Sequence, residues 1–270
     1  MTQPTQLIAL DIDGTLIAPG SSHDALPDAD VAEIVAQLQA AGVVVVLASG
    51  RMYPGTLRVA RHLGLTGPLI CLQGACVHRA DGSLIHSFSI DIDIANELAA
   101  YSDEHEWPFA WFDSARYLAS RATEQTDQYC RVSGVVPEYR ADAHLSGVVP
   151  TGIDIISTAA DANGVHRQLS ERYGERVHLL DFASVTAAHA PDASKGNALS
   201  LLARDLGIAQ NAVLALGDSV NDASMLRWAG RGVAMPHSDR YAREAADEIL
   251  GGTGIGGVVP FLREILRTAT

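Results

Sequence analysis

The 270-residue sequence has few cysteines and few basic residues. Its three cysteines, Cys71, Cys76 and Cys130, form no CxxC pair and no even-numbered framework, so we expect reduced, structural thiols rather than disulfides. Nineteen basic residues stand against 32 acidic ones, which gives a formal net charge of −13. This balance argues against a protein that binds the nucleic-acid backbone and favours one that acts on small molecules.

Long hydrophobic runs are also missing. The longest aliphatic run, 43–48, is far shorter than the about 20 residues that a membrane-spanning helix needs. Residues 1–4 carry no basic segment followed by an apolar stretch, so no signal peptide is evident. We therefore expect a cytoplasmic protein without membrane contacts. Hydrophobic residues make up 47% of the sequence, which is enough for a core of ordinary size.

Strands and helices alternate at the start of the chain. Residues 7–10 are a short apolar strand, apolar spacing predicts a helix over 27–41, and the β-branched run 43–48 follows as a second strand. A helix over 53–63 and a strand over 69–72 continue the pattern. Strands without polar alternation are typical of a parallel sheet that helices cover on both faces.

The C-terminal third has the same organisation. We predict helices over 194–206, 220–229 and 258–267, and strands over 212–216 and 232–235. The two ends of the chain therefore predict one doubly wound α/β core.

The middle of the chain differs from both ends. Aromatic residues concentrate between 87 and 186, and alternation such as that in 153–156 predicts a one-sided antiparallel sheet. We expect a catalytic core formed by residues 1–87 and 188–270, interrupted by an inserted α+β domain over 88–187. An Asp-Gly pair at 81–82 predicts a hairpin just before the insert.

Two carboxylates, Asp11 and Asp13, follow the first strand. In an open parallel sheet, ligands bind just beyond the carboxyl ends of the strands, and Gly14 allows a tight turn whose amides can face an anion. An Asp-Gly turn that only closes a hairpin is the alternative for this segment. The decision depends on the other strand ends.

Polar groups follow two more predicted elements. Ser49 and Gly50 come after the second strand and can offer a hydroxyl and backbone amides to an oxyanion, although a serine helix cap would look the same. Lys195 begins a helix, where its charge opposes the helix dipole. A phosphate partner would explain that placement, whereas a lysine in this position is normally solvated.

The strand over 212–216 is followed by Asp218, Asn221 and Asp222. Such hard oxygen ligands suit Mg²⁺, which usually takes only one or two protein carboxylates. A helix cap rich in Asp and Asn is the alternative interpretation.

Together these segments resemble the haloacid dehalogenase superfamily, and within it the Cof-type phosphatases with a C2 (IIB) cap. Four motifs occur in the family's order: residues 11–16, Ser49, Lys195, and residues 217–222. Two positions depart from the pattern, because Gln73 replaces the usual Asn and 236–238 replaces the usual Gly-Asn-Ala.

The resemblance implies a phosphomonoester hydrolase that acts through an aspartyl phosphate. Asp11 would be the nucleophile and Asp13 the general acid and base. The implied substrate is a small phosphorylated metabolite, such as a sugar phosphate or pyridoxal phosphate. A phosphomutase using the same intermediate and a phosphoaspartate signalling module are the alternatives, and the oligomeric state is left open.

The resemblance also implies a Mg²⁺ site and a phosphate site. The metal set consists of Asp11, Asp13 through its backbone carbonyl, Asp218, and Asp222, which would fix metal-bound water. The phosphate- or substrate-binding set consists of Ser49, Gly50, Lys195 and Asn221.

Overall fold

The computed structural model describes residues 4–269. Its strands are β1 (Leu7–Leu10), β2 (Val44–Leu47), β3 (Leu69–Cys71), β4 (Cys76–His78), β5 (Leu84–Ser87), β6 (Phe109–Phe112), β7 (Tyr117–Ala119), β8 (Glu138–Tyr139), β9 (Gly152–Ile156), β10 (His178–Asp181), β11 (Val185–His189), β12 (Val213–Gly217), β13 (Arg231–Ala234) and β14 (Glu248–Ile249). Its helices are α1 (Ala29–Ala40), α2 (Tyr53–His62), α3 (Ile92–Glu104), α4 (Glu124–Ser133), α5 (Ala162–Tyr173), α6 (Lys195–Asp205), α7 (Ala223–Trp228), α8 (Arg240–Ala245) and α9 (Val258–Ala269).

A parallel sheet with strand order β14-β13-β12-β1-β2 forms the centre of the core. Leu10 at the end of β1 pairs with Leu216 of β12 on one side and with Leu47 of β2 on the other. The residues that follow these three strands therefore emerge at one edge of the sheet, which is the edge where ligands bind in such folds.

Helices cover both faces of this sheet. Ile8 and Leu10 pack in one cluster with residues of α1, α2 and α9, whereas Leu7 and Ala9 pack in another with residues of α6, α7 and α8. Successive side chains of a strand point to opposite faces, so β1 is buried on both sides. The predicted doubly wound α/β core is confirmed.

The strand β3 lies outside the main sheet, which differs from the simple alternation that we predicted. It pairs antiparallel with β4, which pairs with β5, and it joins the core sheet through a single bridge between Ala48 and Ile70. The predicted hairpin is present, and Arg79 and Ser83 close its turn with a backbone hydrogen bond.

The insert is built on a six-stranded sheet of order β10-β11-β9-β6-β7-β8, antiparallel except for the β7–β8 pair. Trp111 and Ile153 lie on the face that packs against α3 and α5. Phe112 and Tyr117 lie on the opposite face, where they cluster with core residues such as Leu72. This sheet therefore covers the core with its second face. The domain bounds at 88 and 187 stay a prediction, and β11 runs across the second of them.

The helix predicted over 220–229 begins only at Ala223. The Asp222 carboxylate accepts hydrogen bonds from the backbone N–H groups of Asp218 and Ser219, so these residues form a loop rather than a helical turn. The sequence analysis also missed α8 and β14, of which β14 pairs with β13 at the end of the core sheet. Both are short, and short elements carry little periodic signal.

Helix α6, which carries Lys195, touches α7 at Gly196. A Cβ at Gly196 would lie 2.4 Å from the backbone oxygen of Ser224, whereas a Cβ at Gly164 in α5 would meet nothing within 4 Å. We expect Gly196→Ala to lower the free energy of unfolding by about 1–3 kcal/mol through overpacking. Gly164→Ala should raise it by up to about 1 kcal/mol, because alanine favours helix. Urea unfolding of both variants tests this, and equal effects would contradict the close contact.

Candidate active site

A buried lysine between two carboxylates lies at the sheet edge. Lys195 Nζ donates hydrogen bonds to Asp11 Oδ1 and to Asp222 Oδ1, both at 2.6 Å. All three side chains are buried. Asp11 follows β1, Asp222 ends the loop after β12, and Lys195 is the first residue of α6. Three separate elements therefore converge on one ammonium group.

The second oxygen of Asp222 holds the loop after β12. It accepts the backbone N–H groups of Asp218 at 2.9 Å and of Ser219 at 3.0 Å. A Cβ at Gly217 would lie 2.4 Å from Asp222 Cβ, so the close approach requires glycine. Asp222 thereby orients both Lys195 and the loop that carries Asp218.

Asp218 faces the same point with one oxygen unused. Its Oδ1 is buried and has no hydrogen-bond partner within residues 4–269. Gly14 has a φ of +87°, and a Cβ there would lie 2.3 Å from Asp218 Oδ2. Ligand oxygens of Asp11, Asp218 and Asp222 all lie within 4.8 Å of one another. An orphaned carboxylate oxygen in such a cluster fits a hard divalent cation such as Mg²⁺.

The pKa values show that negative charge exceeds positive charge here. Burial, and then the Asp222 carboxylate, raises the pKa of Asp11 well above its ordinary value. The same two causes raise the pKa of Asp218 to about 7. Burial lowers the pKa of Lys195, but Asp11 and Asp222 outweigh burial and raise it above its ordinary value. A second cation would favour the ionised form of the carboxylates.

Asp13 has no hydrogen bond to Lys195 and is held instead by Arg51. Arg51 Nε and Nη2 donate to the two carboxylate oxygens of Asp13 at 2.8 and 2.6 Å. The Arg51 side chain is 3% exposed, whereas that of Asp13 is 53% exposed. The guanidinium therefore fixes an accessible carboxylate beside the nucleophile candidate Asp11, in the bidentate geometry that arginine favours.

A cavity of about 210 Å³ opens on these groups. From the core it is lined by Asp11, Asp13, Gly50, Arg51 and Asn221, and from the insert by Tyr129, Val132 and Phe182. The structure thus places Gly50 and Asn221 in the wall of the same cavity as Asp11 and Asp13.

Ser49 lies beneath this cavity rather than in its wall. Its side chain is fully buried, and its Oγ accepts the backbone N–H of Arg51 at 3.1 Å. The hydroxyl hydrogen can still be donated, because an accepting hydroxyl keeps its own proton.

Both departures from the family pattern contact the site. Gln73 Oε1 accepts a hydrogen bond from Asn221 Nδ2 at 2.6 Å. The His237 ring nitrogen Nε2 lies 2.8 Å from the backbone oxygen of Gly14, and only a protonated ring nitrogen can donate to that carbonyl. The longer Gln73 and the His237 segment therefore stabilise the loops that carry Asn221 and Asp13.

A second cavity of about 230 Å³, which we call the cap cavity, lies between the insert sheet and the core. Gln73, Tyr129 and Phe182 line both this cavity and the one at Asp11. The two spaces are therefore adjacent. Asp154 of β9 contributes a carboxylate to the cap cavity, and burial raises its pKa to about 7.

Among the cavity residues that the sequence analysis missed are Arg51, Asp154, Tyr129 and Phe182. Arg51 directly follows Ser49 and Gly50, so a charged residue in that loop was a usable signal. Asp154 is the single charge in the apolar run 152–156, but alternation alone suggested a solvent-facing position. Tyr129 and Phe182 gave no signal, because the fold of the insert decides which of its aromatic residues face the core.

Comparisons with known proteins show the family to which this chain belongs. A model of the haloacid dehalogenase-like hydrolase family matches residues 8–262. The phosphatase YwpJ of Bacillus subtilis is 27% identical, over 97% of this chain and 100% of that protein. An HMP-PP phosphatase of Serratia proteamaculans is 30% identical, over 85% of this chain and 83% of that protein.

One relative is much longer than this chain. The chloroplastic endoribonuclease YBEY of Arabidopsis thaliana is 28% identical over 90% of this chain, but the chain spans only 43% of that protein.

Solved structures share the fold. A haloacid dehalogenase-like hydrolase from Bacteroides thetaiotaomicron superposes with a TM-score of 0.81 at 22% identity, covering 97% of this chain and 99% of that one. The subclass IIB sugar phosphatase BT4131 superposes with a TM-score of 0.80 at 20% identity, covering 96% of this chain and 98% of that one.

The chain therefore belongs to the haloacid dehalogenase-like hydrolase family. The predicted family, the α/β fold with its inserted cap and the phosphatase class of enzyme are confirmed. In the part of the chain from 4 to 269, no helix has both the length and the apolar character needed to cross a bilayer. The cytoplasmic location and the absence of nucleic-acid binding stay predictions.

Lys195→Met tests the charge balance of the buried cluster. Removing one partner of a buried ion pair leaves uncompensated charge, so we expect the free energy of unfolding to fall by about 3–5 kcal/mol. Urea unfolding in EDTA measures this loss. The double variant Lys195→Met/Asp222→Asn should recover part of the stability, because it removes one of the stranded carboxylates. A single variant as stable as the wild type would contradict this account.

Asp154→Leu tests the cost of the carboxylate in the cap cavity. The folded-state pKa of about 7 lies above that of an unfolded aspartate, so wild-type stability falls as the pH rises from about 4 to 7 and stays low above that. The variant lacks this loss. We expect it to be more stable than the wild type by about 1–3 kcal/mol at pH 8, with a smaller gain at pH 5.

Urea unfolding at the two pH values measures the Asp154→Leu effect. The matched control is Asp142→Leu, because Asp142 is an exposed carboxylate of the same domain that contacts Arg140. An equal gain at both pH values would show that Asp154 is already ionised at pH 5.

Proposed function

We propose that this chain is a Mg²⁺-dependent phosphomonoester hydrolase that acts on a small phosphorylated metabolite through an aspartyl phosphate on Asp11. The observation that carries the proposal is the buried Asp11–Lys195–Asp222 cluster at the base of a cavity, with an unused Asp218 oxygen beside it. The phosphatases among the relatives support the same reaction class.

The residues present fit the predicted metal. The Asp11 and Asp218 carboxylates and the Asp13 backbone carbonyl would hold Mg²⁺, and Asp222 would fix metal-bound water. When bound, Mg²⁺ supplies positive charge that offsets the repulsion between an anionic phosphoryl group and a carboxylate. The orphaned Oδ1 of Asp218 would gain the partner that the protein does not provide.

Asp11 and Asp13 divide the covalent chemistry. An Asp11 oxygen attacks phosphorus in line, and the bond from phosphorus to the ester oxygen breaks. Asp13, in its acid form, gives a proton to the departing oxygen, so the product leaves as an alcohol. Asp13 then accepts a proton from the water that attacks phosphorus, which releases phosphate and regenerates both carboxyl groups. Arg51 keeps Asp13 in place between the two steps.

Lys195 has two tasks in this scheme. Its hydrogen bond to Asp11 Oδ1 orients the carboxylate, so that the other oxygen is the one that attacks. Its charge also stabilises the phosphoryl oxygens in the transition state. Ser49, Gly50 and Asn221 would bind the same oxygens, Ser49 through its hydroxyl hydrogen and Gly50 through its backbone amide.

Asp11→Asn tests the nucleophile. With Mg²⁺ and benzyl phosphate as the test ester, we expect kcat to fall by roughly 10³-fold or more, because the amide cannot form the acyl phosphate. EDTA should abolish wild-type turnover, and added Mg²⁺ should restore it. The matched control Asp30→Asn changes an exposed aspartate of α1 and should retain full activity.

Product analysis separates the alternatives. Release of one phosphate per alcohol identifies a hydrolase, whereas an isomerised ester with little free phosphate identifies a phosphomutase. A stable phosphoprotein without turnover would identify the signalling module. Activity that survives Asp11→Asn or EDTA would contradict the proposed mechanism.

A further inference from the structure

We propose that Asp154 selects phosphate esters whose leaving group is a small planar ring carrying a basic nitrogen. The inference rests on the proposed function, because it assumes that the phosphoryl group lies at Asp11 while the leaving group occupies the cap cavity. The resemblance suits sugar phosphates, pyridoxal phosphate and nucleotide-derived phosphates alike, and the lining of the cap cavity bears on the choice between a sugar and a planar ring.

The insert sheet leaves room around Asp154. On β6 and β11 its cross-strand partners are Ala110 and Ala187. Directly opposed side chains on a sheet lie about 4.5–5.5 Å apart at their Cβ atoms, so two alanines leave open space on both sides of the carboxylate. The face is the one that covers the core, because Ile153 and Ile155 pack on the other side of the sheet.

Aromatic side chains enclose this space. Phe112 and Tyr117 come from the insert sheet, and Tyr129 and Phe182 come from the segments that also border the cavity at Asp11. Aromatic walls bind a flat ring through offset or edge-to-face contacts. A sugar would place several hydroxyls in this space, and those that face the aromatic rings would lose hydrogen bonds to water.

Within residues 4–269, the Asp154 carboxylate accepts no hydrogen bond and forms no ion pair. Its burial is the only cause of its raised pKa, with no hydrogen bond or cationic neighbour contributing. No lysine or arginine lines the cap cavity within residues 4–269. An unpaired polar group in an apolar cavity lowers the stability of the folded protein. A ligand that pairs with the group offsets this loss.

Neighbouring polar groups do not neutralise Asp154. Burial, and then His178, lowers the pKa of His189 to about 3, so His189 is neutral at physiological pH. Gln125 donates its amide to Ser184. Within residues 4–269 no hydrogen bond joins Asp154 to these groups, or to Tyr117 and Tyr129, whose pKa values its charge helps to raise. A ligand that offers a hydrogen-bond donor or a protonated base would therefore supply a partner that Asp154 lacks.

A ring nitrogen meets this need without burying a net charge. Because burial raises the pKa of Asp154 to about 7, the carboxyl is poised to give or accept a proton at neutral pH. A pyridine-like nitrogen can share that single proton in either direction. Such a pair avoids the desolvation cost of a separate buried carboxylate.

The dimensions agree with one ring. The cap cavity holds about 230 Å³, which is below the roughly 300–1,000 Å³ typical of sites for drug-sized ligands. The cavity at Asp11 holds about 210 Å³ and shares Gln73, Tyr129 and Phe182 with it. A phosphoryl group and a single ring joined by a short linker would occupy the two spaces together.

Three esters of matched shape test the inference. Benzyl phosphate, pyridin-3-ylmethyl phosphate and pyridin-4-ylmethyl phosphate differ only by a ring nitrogen. For the full-length wild type with Mg²⁺, we expect kcat/KM for at least one pyridyl ester to exceed that for benzyl phosphate by about tenfold or more. In Asp154→Leu this ratio should fall to within about twofold of unity. The control Asp142→Leu should keep the wild-type ratio.

The comparison between variants is the decisive readout. Any intrinsic difference in reactivity between the esters is the same for every variant, so it cancels when ratios are compared. A ratio that is equal in the wild type and in Asp154→Leu overturns the inference. Hydrolysis of glucose 6-phosphate with a higher kcat/KM than both pyridyl esters also overturns it.

Failure of the inference and failure of the proposed function give different results. One outcome is that the wild type hydrolyses benzyl phosphate, Asp11→Asn does not, and the kcat/KM ratio of pyridyl to benzyl ester is the same with and without Asp154. In that case the proposed function stands and the inference fails. If no ester is hydrolysed, calorimetric titration of the same esters into Asp11→Asn still measures selectivity. Tighter binding of a pyridyl ester that is lost in Asp11→Asn/Asp154→Leu supports the inference, and equal binding overturns it.

Discussion

The site depends on one buried ammonium group. Lys195 lies between Asp11 and Asp222 at hydrogen-bonding distance from both, and it is the only lysine in the sequence. Without it, three carboxylates from two loops would repel one another in a region of low dielectric. With it, the loops after β1 and β12 can approach closely enough to leave Asp218 facing Asp11. The same group that would bind the phosphoryl oxygens therefore also holds the loops together at this edge of the sheet.

Glycine residues make the close approach of these loops sterically possible. Gly14, Gly196 and Gly217 each lie where a Cβ would come within 2.4 Å of a neighbouring group. Two of those groups are the Asp218 and Asp222 side chains, and the third is the backbone of α7. The charge network and the glycines are thus parts of one constraint, because the carboxylates can meet Lys195 only where the backbone carries no side chain.

Most of the core and its site could be predicted from the sequence, because the signals are local. A strand followed at once by Asp11 and Asp13, or by Asp218 and Asp222, identifies a strand end and its ligands together. The insert was less predictable. Alternation in 153–156 correctly indicates a sheet with two unlike faces, but it cannot tell whether the polar face meets solvent or another domain. Asp154 faces the core, and only the folded arrangement of both domains reveals this.

Asp154 and Lys195 are both buried ionisable groups, but they differ in whether neighbouring side chains pair with them. Lys195 is paired with two carboxylates, so it stabilises the cluster and fixes the geometry around Asp11. Asp154 is left without a partner, so its burial costs stability that only a suitable ligand recovers. Sites that trade stability for recognition in this way bind best the molecule that supplies the missing group. In the proposed function the core would carry the chemistry of phosphoryl transfer, while the unpaired Asp154 carboxylate on the cap would favour one class of leaving group.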